Sequence, residues 1–134
     1  MQRRSVDLVE PPFDERSIAL GAHVRFDVPP RVAWQGFRVL LDELPPGHTL
    51  DVQELAVVGQ SASYRREMFV GAAELDLAIT RVGRSSIVLR YEIWQDGRSA
   101  AAGELALARV SRGRAVSVPF TDEQRAALAM FVQS

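Results

Sequence analysis

Asp27 stands at the end of an apolar stretch, Ser17–Asp27, and directly ahead of Val28-Pro29-Pro30. Pro30 suits the first position of a helix, where its missing N–H costs nothing. An aspartate at such a junction has two readings. It can cap the helix, the ordinary use of aspartate there, or it can act as a base or nucleophile beside the positive end of the helix dipole. A second pair of acids, Asp42-Glu43, lies near the end of the same helix. Acids there oppose the dipole slightly, and their alternative reading is surface charge. The basic residues carry a separate signal. All 16 are arginine, so there is no Schiff-base lysine, and an anion site must use guanidinium forks, which suit phosphate. His23 and His48 have no ligand-spaced partner, so no metal site is expected, and no cofactor. Ser61 and Ser63 lack a nucleophile-elbow context, and the absence of cysteine removes disulfides, thiolate metal sites and a thiol nucleophile.

The elements that position these residues follow from periodicity. Residues 1–16 are polar, with Pro11-Pro12 inside, and read as a loose lead-in; residues 17–134 read as a single domain. Ser17–Asp27 is a strand candidate with a bend at Gly21. Over 31–44, Ala33, Phe37, Leu40, Leu41 and Leu44 share one helical face, while Val32, Trp34 and Val39 widen it. Gly36 in mid-helix costs about 1 kcal/mol against alanine. A sheet packed closely on the helix would explain it. Pro45-Pro46-Gly47 ends the helix.

A β-type run over 49–66 has Leu55, Val57 and Val58 as its apolar centre. Three longer strands follow. Ala73, Leu75, Leu77 and Ile79 alternate with polar residues, as do Ile87, Leu89, Tyr91 and Ile93, and Ser99–Val110 forms the last. Turns fall at Val82–Ser85, Gln95–Gly97 and Ser111–Arg114. Thr121-Asp122-Glu123-Gln124 matches a capping box opening a short helix through Val132, with Leu128 and Phe131 on one face. The order predicts an α+β fold with a mostly antiparallel sheet and one buried helix. In such a meander Arg81 and Arg84 flank the first turn and Arg109, Arg112 and Arg114 follow the third strand. These five arginines therefore gather at one end of the sheet.

A hydrophobic fraction of 47% with 25% charged residues is the composition of a soluble globular domain. A net charge of −1 does not favour nucleic-acid binding. Residues 1–12 contain arginines without an apolar core, so no signal peptide is expected, and no run approaches a membrane span. The expected location is the cytoplasm.

Three pieces of the chain carry a resemblance: Tyr64-Arg65-Arg66 with Phe69-Val70-Gly71; Arg81-Val82-Gly83-Arg84-Ser85-Ser86 with Tyr91-Glu92-Ile93 and Asp96-Gly97; and Val118-Pro119 before the last helix. In this order and spacing the chain resembles the hotdog-fold thioesterases of the 4-hydroxybenzoyl-CoA thioesterase type, over roughly residues 17–131. The resemblance implies an antiparallel sheet wrapped around one central helix, with a short C-terminal helix. It implies hydrolysis of an acyl thioester, on coenzyme A or an acyl carrier, to a carboxylic acid and free thiol. Asp27 falls on the catalytic acid and the Trp34 N–H on the oxyanion donor. A second branch of the superfamily places its acid on the helix, which points to Asp42 or Glu43 with the Gly36 N–H as donor. Arg81, Arg84, Arg109, Arg112 and Arg114 become candidate anchors for the phosphates of coenzyme A. Ser85 and Ser86 are added donors, Tyr64 is a further substrate-binding candidate, and Arg65 and Arg66 are a second basic point. Family members build their sites between subunits, so a homodimer or homotetramer is implied. Pro30 stands where a glycine is usual, and the frequent His-Val-Asn segment is absent. These departures favour the alternative, a non-catalytic hotdog module binding an acyl thioester, carrier protein or partner subunit. A hotdog dehydratase lacks its histidine here.

Overall fold

The computed structural model of the chain describes residues 2–8, 28–44, 50–111, 113 and 116–132. Five strands form one antiparallel sheet in the order β1-β3-β4-β5-β2, with β1 Gln2–Leu8, β2 Leu55–Tyr64, β3 Gly71–Val82, β4 Ser86–Gln95 and β5 Arg98–Arg109. Helix α1, Val28–Asp42, packs mainly on β3 and β5, and α2, Asp122–Ala129, packs beside β3. The expected strand over 17–27, the stop at Pro45–Gly47, and His23 and His48 lie outside the described residues.

The period-two alternation decides which sheet face meets α1. Ala73, Leu75, Leu77 and Ile79 of β3 are buried on one face with Ile87, Leu89, Tyr91 and Ile93 of β4 and Ala101, Leu105 and Leu107 of β5. The predicted helical face answers them: Ala33, Phe37, Leu40, Leu41 and Leu44 are all buried. The helix begins at Val28, two residues before the expected start, because Pro29 as well as Pro30 fits a first turn that requires no N–H bond. Gly36 has its reason in this contact. A Cβ there would lie 2.5 Å from Cδ2 of Leu75, so the glycine lets the helix backbone settle onto β3.

The turns follow their chemistry. Asp96 and Gly97 both take positive φ, 54° and 72°, as a two-residue hairpin of the I′ type requires. The Thr121 hydroxyl accepts from the Gln124 N–H, and the Gln124 side chain accepts from the Thr121 N–H, completing the predicted capping box. Two expectations are corrected. Gln2–Leu8, read as part of a loose lead-in, is an edge strand paired along its length with β3. Val57 and Val58, read as an apolar strand centre, are 49% and 63% exposed, because β2 is the opposite edge and its register slips between Val57 and Gly59.

Candidate active site

The start of α1 is described from Val28 onward; Asp27 itself lies outside the described residues. The first N–H groups of a helix have no intrahelical acceptor, and in α1, which begins at Val28, these include residues 28–30, of which Pro29 and Pro30 donate nothing. Trp34 stands beyond them. Regular i→i−4 bonding commits its N–H to the Pro30 carbonyl, so in this conformation the expected oxyanion donor is spent inside the helix. The Trp34 side chain is half-buried, its ring centroid 6.2 Å from that of Phe37. The Gly36 N–H is committed in the same way, on a buried turn.

Asp42 and Glu43 occupy the far end of the helix, eight or nine residues from Trp34 and therefore roughly 12 Å along the axis. Asp42 is exposed in a cleft of about 290 Å³ shared with Arg38, Leu41, Leu50, Asp51 and Val52. Glu43 is paired with Arg4, whose Nη2 donates to its carboxylate at 2.8 Å. That pair ties β1 to the end of α1, which is a structural use for Glu43. The two acid branches thus belong to opposite ends of one helix.

The geometric prediction for the arginines can be followed for three of the five; Arg112 and Arg114 lie outside the described residues. Ser86 pairs with Ala108, and the Arg109 N–H donates to the Ser85 carbonyl at 2.7 Å, so the first turn and the end of β5 do meet. Arg109, however, is already engaged. Its Nε donates to Glu54 at 2.9 Å and its Nη1 to the Pro119 carbonyl at 2.7 Å, tying β5 to the turn before β2 and to the strap leading into α2. Arg81 and Arg84 are exposed and hold no ion pair among the described residues. Gly83 N–H closes their hairpin onto the Ser86 carbonyl at 2.7 Å.

Tyr64 is at the other end. Leu55 pairs with Arg109 and Tyr64 with Ala101, so the length of β2, roughly 30 Å, separates Tyr64 from the arginine rim. Arg65 is spent nearby: its Nη1 donates to Glu92 and to Ser99 Oγ, each at 2.7 Å.

Two constellations escaped the sequence reading. On the sheet face away from α1, Asp76 is buried and accepts two bonds from Arg3, at 2.7 and 2.9 Å, and one from Trp94 Nε1 at 2.9 Å. The Arg3 guanidinium also lies 5.1 Å from the Trp94 ring centroid. The Arg3 bonds hold the Asp76 carboxyl below its usual range against the opposing effect of burial. On the helix side, Tyr91 is fully buried and donates to the Ser61 carbonyl at 3.1 Å. Burial, followed by the neighbouring Tyr64, pushes the Tyr91 phenol up to about 12. Neither shows in periodicity, since Asp76 occupies an outward position and Tyr91 reads as one more core residue. Among the described residues no group of three or more His, Cys, Asp and Glu could hold a metal ion, and no helix is long and apolar enough to cross a membrane.

A family model described as the Thioesterase superfamily matches residues 31–102. No curated protein matches the chain. Among solved structures, a predicted thioesterase from Bacillus stearothermophilus is similar with a TM-score of 0.75 at 18% identity, over 98% of each chain. A Thermus thermophilus thioesterase complexed with coenzyme A and zinc is similar with a TM-score of 0.74 at 20% identity, over 96% of this chain and 92% of that one. A Staphylococcus aureus protein in complex with CoA is similar with a TM-score of 0.70 at 14% identity, over 96% and 82%. The architecture they share with this chain is the hotdog fold.

Proposed function

The chain belongs to the thioesterase superfamily, and on that premise we propose that it hydrolyses an acyl thioester, with coenzyme A as the thiol carrier, to a carboxylic acid and free thiol. Bound CoA in two similar structures supports the choice of carrier. The observation that carries the residue-level reading is that α1 starts at Val28, the residue immediately after Asp27. A carboxylate there stands beside the positive end of a helix, where charge developing on a thioester oxygen is also stabilised. Asp27 either takes a proton from a water whose oxygen attacks the carbonyl carbon, or attacks that carbon itself to give a mixed anhydride that water then cleaves back to the Asp27 carboxylate. The carbon–sulfur bond breaks, and the departing thiolate takes up the proton that water releases. The half-buried Trp34 ring lies nearly two turns into the helix, against Phe37. Its N–H could become the donor only if the proline turn opened.

Arg81 and Arg84 take the phosphates of coenzyme A, joined by Ser85 and Ser86 and by Arg112 and Arg114. Arg109 holds that rim in shape. Tyr64 and the rim can serve one substrate only if two protomers meet. Strand β2 offers the means: it is an edge, its Val57 and Val58 are exposed, and antiparallel pairing with a second β2 brings the Tyr64 end of one copy to the arginine end of the other. A homodimer built this way is the assembly proposed.

The test is free-thiol release across a panel of acyl-CoA substrates by the wild type and Asp27→Asn. The reading expects release by the wild type and at least a hundredfold loss in the variant. Binding of acyl-CoA without turnover would instead establish the non-catalytic module.

A further inference from the structure

Tyr91 of β4 faces Gly103 of β5, which in turn faces Ala62 of β2. The tyrosine ring lies across the glycine. A Cβ at Gly103 would come within 2.6 Å of the Tyr91 hydroxyl oxygen and 2.8 Å of Cζ, and would collide with the Ser61 carbonyl oxygen. The missing side chain therefore lets the phenol cross the whole of β5 and donate to Ser61 on the next strand, at 3.1 Å. Ser61 is drawn into β5 from its side chain as well, its hydroxyl accepting from the Glu104 N–H at 3.3 Å.

The position of this bond along β2 gives it a use. The beginning of β2 is fixed by Arg109 on Glu54 and by the Val110 N–H on the Glu54 carbonyl. Beyond the register slip at Val57–Gly59, the strand has no neighbour on its outer side among the described residues, and Gln60, Ser61, Ser63 and Tyr64 are all exposed. On the helix-facing side, the Tyr91 hydroxyl reaches this second half of the edge from the sheet interior.

We propose that Tyr91, given room by Gly103, is a positioning residue: its bond to the Ser61 carbonyl fixes the course of residues 60–64 of the edge strand, and through them the placement of Tyr64 and the docking of a second copy. The proposal rests on the reading above, in which a second β2 pairs with this edge to complete a thioester site. Tyr91 touches no reacting atom. It acts through the strand it holds, and a part-buried hydrogen bond lost at each of two symmetric sites enters the dimer constant twice.

Tyr91→Phe removes the hydroxyl and keeps the ring. Amide hydrogen exchange without substrate is expected to accelerate about tenfold at residues 60–64, while the amides of Leu75–Ile79 keep their protection. The dimer dissociation constant is expected to rise at least about tenfold. KM is expected to rise, with kcat regained once protein concentration exceeds the new dissociation constant. Gly103→Ala, which pushes a methyl into both the hydroxyl and the carbonyl, is expected to reproduce the same local loosening, and provides the test should Tyr91→Phe fold poorly. Exchange that rises uniformly over all five strands, or stays unchanged at 60–64, overturns the proposal. If the wild type releases no thiol yet Tyr91→Phe still loosens 60–64, the positioning role stands and the thioesterase reading fails. Normal thiol release without local loosening overturns the positioning role alone.

Discussion

Asp76 shows how a single residue turns from surface charge into a structural anchor. Its alternation with Leu75 and Leu77 sends it to the outer sheet face, as the period-two pattern predicts. What the pattern does not contain is Arg3, 73 positions away, which closes over it with two bonds while Trp94 supplies a third. A carboxylate held by charge-assisted bonds stays ionised below its usual range. Its contribution to stability is therefore complete above about pH 4 and is lost as the pH falls through the lower folded-state value. Asp76→Asn is expected to cost about 2 kcal/mol at pH 7, measured by urea unfolding. The gap between wild type and variant should narrow at pH 3; a gap of constant size at both values would show that the charge is not what holds β1. Distant partners also set the state of other candidate residues: the Arg109 fork is engaged by Glu54 and the Pro119 carbonyl, and Glu43, still exposed, is paired with Arg4.

At the scale of elements most of the fold was legible, because the strongest signals are local. The apolar face of α1, the three long strands with their turns, and the capping box of α2 depend on residues a few positions apart. Strand β1 was not legible: its inward positions are Arg4, Val6 and Leu8, and an arginine at the first of them breaks the apolar alternation. Strand β2 misled in the other direction, since Val57 and Val58 carry β-propensity without burial. Gly36 joins the local and the distant. The expected close contact with a sheet is present, and its partner is Leu75. Gly36→Ala gains about 1 kcal/mol of helix propensity and loses about 2–3 to overpacking against a fully buried leucine. The net expected loss is about 1–2 kcal/mol, read as a lower urea midpoint at unchanged slope. A more stable Gly36→Ala protein would mean that α1 and β3 have slack between them.

For the whole molecule, the sheet alone keeps the candidate substrate-binding residues apart. Arg81 and Arg84 sit at the end of the sheet where β2 begins, and Tyr64 sits where β2 ends, a separation that the proposed pairing of two protomers along the edge would remove. The sequence contained the residues but not this separation, because strand order and edge identity emerge only from pairing across the chain. If the arginine rim binds the phosphates of coenzyme A, the double variant Arg81→Ala and Arg84→Ala should raise KM about tenfold or more with kcat little changed. It should also weaken the dependence of KM on ionic strength, since exposed phosphate contacts screen with salt. An unchanged KM with unchanged salt dependence would move the carrier-binding surface elsewhere.

The proposed hydrolysis depends most on the carboxylate that precedes α1 in the sequence. The direct measurement is thiol release from an acyl-CoA that the wild type turns over, repeated with Asp27→Asn at saturating substrate and at the same protein concentration. We predict that kcat falls by at least two orders of magnitude while acyl-CoA binding is retained, as expected for loss of a base or nucleophile. A variant that turns over within a few-fold of the wild type would contradict the assignment and favour Asp42 at the other end of the helix.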